Sequence, residues 1–119
     1  MNIEEFRELC LQKKGVTEEF PFDEDTLVFK VLGKIFTIAP LERIPSQVNL
    51  KCDPDRAIEL RETYAGIITP GYHMSKVHWN TLLLEHLPAG LIVELVDHSY
   101  ELVVSKLTKK QKTALEGMI

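Results

Sequence analysis

The sequence predicts an α+β domain in two layers, an antiparallel sheet with helices packed on one face. Three observations carry that expectation. Runs rich in β-branched and apolar residues at 26–32, 34–39 and 46–52 follow one another through short connections, and strands joined so closely cannot be parallel. The 46–52 run alternates, with Val48, Leu50 and Cys52 pointing one way and Gln47, Asn49 and Lys51 the other, the pattern of a sheet covered on one face only. Helical periodicity brackets the strands at the N-terminus, in the middle and from Pro88 onwards.

The elements follow in order. Asn2 caps a first helix, with Glu5 as its reciprocal partner, and Ile3, Phe6, Leu9 and Cys10 recur on one face. Lys13, Lys14 and Gly15 end it. Residues 16–25 read as an acidic loop whose Phe20-Pro21-Phe22 forms an aromatic lid over the core edge. In the next strand Leu27, Phe29 and Val31 share a face. Gly33-Lys34 suits a type II′ hairpin turn, because its first central residue needs a positive φ. Pro40 stops the second strand of the hairpin, having no N–H for a ladder.

Asp53-Pro54 opens a helix, with Asp53 as cap and Pro54 at its first position, and Gly66 closes it. Residues 67–69 form a short strand and Pro70-Gly71 a turn. Residues 77–85 form a strand, with Val77, Trp79, Thr81 and Leu83 on one face and His78, Asn80, Leu82 and Leu84 on the other. From Pro88 an apolar stripe through Leu91, Ile92, Leu95, Val96, Leu102 and Val103 marks a helix of about four to five turns. Thr108 and Gln111 form a second capping box, opening a terminal helix.

Composition narrows the class. A chain of 119 residues is expected to form a single domain over 1–119, large enough to fold without disulfide or metal. Its 45% hydrophobic and 27% charged residues are those of a soluble globular protein. No apolar run is long enough to span a membrane, and the acidic N-terminus lacks a signal-peptide pattern, so no membrane partner and a cytoplasmic location are expected. Cys10 and Cys52 lie at apolar-patterned positions and read as buried thiols. A net charge of −4 argues against a uniformly basic nucleic-acid surface but leaves room for a local basic patch.

One stretch is dense in chemistry. Residues 70–80 hold Tyr72, His73, Lys76, His78, Trp79 and Asn80. If its strand neighbours the 46–52 strand, Lys51, His78 and Asn80 could share one surface, offering a cation, an imidazole and an amide to a phosphate or carboxylate. Tyr72 and Trp79 would stack or brace. His73 and His78 lack the accompanying spacing of a metal site, so no metal and no cofactor are expected. Cys52 has no nucleophile elbow or orienting base beside it in sequence, so no enzyme activity is expected. Lys106, Lys109, Lys110 and Lys112 form a basic cluster near the C-terminus, and Lys30 and Lys34 flank the hairpin tip.

Several strings together resemble the MmcQ/YjbR family of small bacterial proteins. They are Leu27-Val28-Phe29-Lys30-Val31, Gly33-Lys34-Ile35-Phe36, Val48-Asn49-Leu50-Lys51-Cys52-Asp53-Pro54, the whole of 70–80, and Asp97-His98-Ser99-Tyr100-Glu101-Leu102-Val103. Thr108 departs from the family pattern, where proline is expected, as does Ile35, where methionine is usual. The resemblance implies a CyaY-like (frataxin-type) two-layer fold. It implies DNA binding through wing-like hairpins only by analogy at the level of the fold. The expectation is therefore a non-enzymatic binding protein using Lys51, Tyr72, His73, Lys76, His78, Trp79 and Asn80. DNA is its first-named partner; the alternative is a small anionic ligand or a protein partner on the same surface.

Overall fold

The computed structural model describes residues 1–71 and 75–118. Among them, helix α1 (Ile3–Leu11) leads into strands β1 (Val16–Glu19), β2 (Thr26–Val31), β3 (Lys34–Pro40) and β4 (Gln47–Lys51). Helix α2 (Pro54–Thr63), strands β5 (Ile68–Pro70) and β6 (Trp79–Leu83), and helices α3 (Ala89–Ser105) and α4 (Lys109–Glu116) complete the order. The strands form one antiparallel sheet in the order β1-β2-β3-β4-β6-β5.

All four helices bury their apolar stripes on the same face. Phe6 and Cys10 of α1, Ala57 and Leu60 of α2, Ile92, Leu95, Val96 and Val103 of α3, and Leu115 of α4 join one core. The sheet contributes Leu27, Phe29, Val31, Val48, Leu50, Ile68 and Leu82 to it. Burying an aliphatic or aromatic side chain of this size stabilises by roughly 1.5–3 kcal/mol, so this face holds the layers together.

The helix starts are locally determined. Asn2 accepts from Glu5 N–H while the Glu5 carboxylate accepts from Asn2 N–H, and Thr108 and Gln111 repeat the arrangement. Asp53 accepts from Arg56 N–H, with Pro54 at the first helical position.

The structure departs from the sequence expectation at three places in the sheet. Val16–Glu19 is not loop but the edge strand β1, paired from Val16↔Val31 to Glu19↔Val28. Only Val16 is even half-buried there, so no alternation announces the strand; β2 supplies the hydrogen bonds, and Glu18 and Glu19 guard the edge. The hairpin turn centres on Leu32-Gly33, not Gly33-Lys34, because Val31 pairs with Lys34. Both central residues have positive φ (46° and 83°), as demanded by a type I′ turn, whose twist matches the right-handed twist of the flanking strands. The strand expected over 77–85 is confined to Trp79–Leu83, between a turn at 76–78 and a short 3-10 turn, Leu84–His86.

The aromatic lid is also corrected. Phe20 and Phe22 are 50% and 64% exposed and close nothing. Their loop is organised instead by Asp23, whose carboxylate accepts from Asp25 N–H, Thr26 N–H and the Thr26 hydroxyl. Those bonds hold its carboxyl below the usual range, the Asp25 amide contributing most.

Candidate functional site

The end of β4 is pinned from three directions. Beyond Thr37↔Leu50 the ladder between β3 and β4 stops, at the point where Phe36 would oppose Lys51. Phe36 is the extra residue of a β-bulge, since Phe29 pairs with Thr37 and Lys30 with Ile35. The fully buried Ser99 of α3 fills the opening: its hydroxyl donates to the Phe36 carbonyl (2.6 Å) and accepts from Lys51 N–H (3.0 Å). Cys52 N–H then donates to the His78 carbonyl (2.7 Å), and Asp53 N–H to His98 Nε2 (3.1 Å). Three consecutive amides are thus held by α3, by the turn before β6, and by α3 again.

This pinned segment forms one wall of a concavity of about 320 Å³ lined by Lys51, Cys52, Asp53, His78, Leu102 and Lys106. Lys51 is half-buried, whereas His78 and Lys106 are exposed. None of the three cations or imidazoles forms an ion pair among the described residues, although Arg7, Lys13, Lys30 and Arg56 do, with Glu18, Asp97, Glu19 and Glu94 respectively. Lys76, Lys109, Lys110 and Lys112 likewise make no ion pair among the described residues. The charges that hold the fold are neutralised in place; those around the concavity remain available to a ligand.

The sequence-predicted residues divide by strand parity. Lys51 and His78 line the same concavity. Lys51 pairs with Trp79, so those two share the helix-free face of the sheet. Asn80 pairs with Leu50 on the helix-covered face and is 2% exposed. It therefore does not join Lys51 on a surface, as the sequence suggested. Its Oδ1 accepts from Arg61 Nε (2.7 Å) and its Nδ2 donates to the Ala57 carbonyl (3.4 Å), so it anchors α2 to β6. Lys76 is exposed in the 76–78 turn, its carbonyl bonded to Arg61 Nη2. Tyr72 and His73 lie outside the described residues.

Five contributors lay outside the set of residues predicted for the site. Lys106, noted only as part of a basic cluster, lines the same concavity as Lys51 and His78. Arg61 holds the turn through the Lys76 and Trp79 carbonyls and Asn80. Ser99 and His98 secure the β4 end; the one sequence signal was two adjacent polar residues beside the apolar stripe of the long helix. Gly71 belongs with them: a Cβ there would sit 2.7 Å from the Trp79 Cβ, and its N–H bonds the Trp79 carbonyl.

The lining sets two lysines and an imidazole against one carboxylate, Asp53, which accepts from Arg56 N–H. Burial raises the Cys52 thiol pKa, against the opposing pull of Arg56. No group of three or more metal-ligating side chains converges among the described residues. No helix among them is long and apolar enough to cross a membrane.

Fold and site together define a two-layer α+β domain with a six-stranded antiparallel sheet and a basic concavity where β4, the turn before β6 and the end of α3 meet. The chain belongs to the YjbR family, whose model matches residues 11–102. It is 32% identical over 117 residues to the Escherichia coli K12 protein YjbR, covering 97% of this chain and 98% of that one. It is 35% identical over 107 residues to YbdF of Escherichia coli O157:H7, covering 89% and 87% of the two chains. Neither name states an activity. Among solved structures it is similar to the Deinococcus radiodurans protein DR2400, with a TM-score of 0.89, 39% identity, and 97% and 88% of the chains covered. A Pseudomonas syringae protein is also similar, with a TM-score of 0.73, 29% identity, and 86% and 98% covered.

Proposed function

We propose that this protein is a non-enzymatic binding module that captures an anionic group, phosphate or carboxylate, between Lys51, His78 and Lys106. The supporting observation is that these three residues line one concavity while forming no ion pair among the described residues. Fixed donors around a site of this kind recognise oxyanions through charge-assisted hydrogen bonds. The raised thiol of Cys52 supports binding over covalent chemistry.

DNA is the second reading. It is favoured by Lys76 beside His78 and by Lys109, Lys110 and Lys112 just beyond Lys106, a set of cations that could follow a phosphate backbone. Two measurements on the same preparation separate the readings. One is thermal shift with inorganic pyrophosphate and citrate; the other is anisotropy of a labelled DNA duplex at low and moderate salt. A small-anion site predicts a saturable shift, weakened about tenfold by Lys51→Ala or Lys106→Ala. A DNA surface predicts affinity falling steeply with salt, with a shallower slope after Lys109→Ala or Lys112→Ala. Absence of both responses at millimolar anion and tens of micromolar protein would overturn the proposal.

A further inference from the structure

The helix-free face of the sheet holds another, larger concavity, about 710 Å³, that shares no lining residue with the basic one. We propose that it binds a small organic acid with a flat apolar body.

The floor is built from adjacent strands. Ile38, Asn49 and Thr81 lie side by side in the register of β3, β4 and β6. Among the described residues no helix packs on this face, yet Asn49 and Thr81 are only 7% and 8% exposed. The Thr81 hydroxyl donates to Asn49 Oδ1 (2.5 Å), and Asn49 Nδ2 donates to the Ile38 carbonyl (3.3 Å). These bonds lock the floor while leaving a second Asn49 N–H and the Thr81 oxygen lone pairs for a ligand. Gln47, on the same side of β4, adds another amide.

The rim supplies the remaining chemistry. Arg43 lines the concavity and forms no ion pair among the described residues, so a cation stands ready beside the floor's unused amide and hydroxyl groups. The carboxylate in the lining, Asp23, is engaged by the amides and hydroxyl of its own turn. Phe22 offers a ring 64% exposed to solvent, a surface that a flat ligand would cover. A few convergent polar groups, an apolar wall and a volume of several hundred cubic ångströms are the attributes of a small-molecule site. The single uncommitted cation at the rim selects for an acid over a neutral ring.

Anilinonaphthalenesulfonate, a flat aromatic anion, is the probe. Titrated into the full chain, it should give saturable, blue-shifted emission at one equivalent and shift the amide resonances of Gln47, Thr69 and Thr81. Arg43→Ala should weaken it about tenfold, the loss expected when a charge-assisted contact goes, and Phe22→Ala should do likewise. Both side chains are exposed, so the fold is retained, which circular dichroism checks. Lys106→Ala should leave the affinity unchanged. Loss of binding in Lys106→Ala would place the probe in the basic concavity and overturn the inference. So would unchanged affinity in Arg43→Ala, or shifts confined to Leu27 and Leu41, which with Ile3 and Phe20 line a separate apolar recess of about 510 Å³. An absent signal at millimolar probe would overturn it as well.

Discussion

Replacing Ser99 with alanine removes one hydroxyl and, with it, the link that closes the sheet beside Lys51. The hydroxyl is fully buried and makes two hydrogen bonds, donating to the Phe36 carbonyl and accepting from Lys51 N–H. Each is worth roughly 0.5–1.5 kcal/mol net, and a buried partner left without one costs about 1–3 kcal/mol. Neither backbone group can find the other, because the strands part at that pair. The expected loss is therefore roughly 2–4 kcal/mol. With a urea m-value of about 2 kcal/mol/M for a domain of this size, the midpoint should fall by roughly 1–2 M with m unchanged. Ser105→Ala is the internal control. Its hydroxyl is exposed and bonds only the Leu102 carbonyl of its own helix (2.7 Å), so its effect should stay within about 0.5 kcal/mol. If Ser99→Ala is no more costly than Ser105→Ala, packing rather than this hydroxyl holds the β4 end, and the account of how Lys51 is positioned is wrong.

Two further outcomes follow from the same reasoning. Arg61→Ala leaves the buried Asn80 Oδ1 unpaired and frees the Lys76 carbonyl, while the Trp79 carbonyl keeps its bond from Gly71 N–H, so about 1–3 kcal/mol should be lost. Hydrogen exchange at His78 and Trp79, whose amides bond the Ser75 carbonyl, should accelerate, and unaltered protection there would contradict the role given to Arg61. Burial pushes the Cys10 thiol from its ordinary 9.0 up to about 12, partly offset by Thr37. The unfolded chain then loses this proton first. Stability is fully present below about pH 9 and falls as pH rises towards 12, by up to ~1.4 kcal/mol per pH unit from this group. Urea unfolding at about pH 8 and about pH 10 should show a smaller drop for Cys10→Ala than for the parent chain; equal drops would place the thiol in a more polar environment than the structure does.

Much of the fold was legible because its signals are short-range. The capping boxes at Asn2–Glu5 and Thr108–Gln111, the Asp53-Pro54 start and the stripe of α3 each lie within a few turns of chain. The alternation of Val48 and Leu50 against Asn49 and Lys51 reported strand β4 and which side chains share a face, although Asn49, expected in solvent, is only 7% exposed. Strand β1 carried no comparable signal, since only Val16 of its four residues is shielded and its pairing comes from β2. The lid failed for a related reason: Phe20 and Phe22 are aromatic, but the Asp23 turn leaves both rings in solvent.

The candidate site divides along the same line. The composition of 70–80 was visible as a concentration of His, Lys and aromatic residues. Whether any of them met Lys51 depended on register, and a shift of one residue exchanges every side chain between faces. The observed register sends Trp79 to Lys51 and buries Asn80 beneath α2. The sequence by itself determined the α+β class, the helix starts, the outward face of β4 and the YjbR resemblance, because each rests on neighbours along the chain. Only the tertiary structure decided that Lys106 joins Lys51 and His78, that Ser99 closes the sheet beside them, and that Arg43 overlooks a recess floored by Asn49 and Thr81. Those meetings bring together residues far apart in sequence, and they are set by strand order and by how α3 lies across the sheet rather than by local pattern.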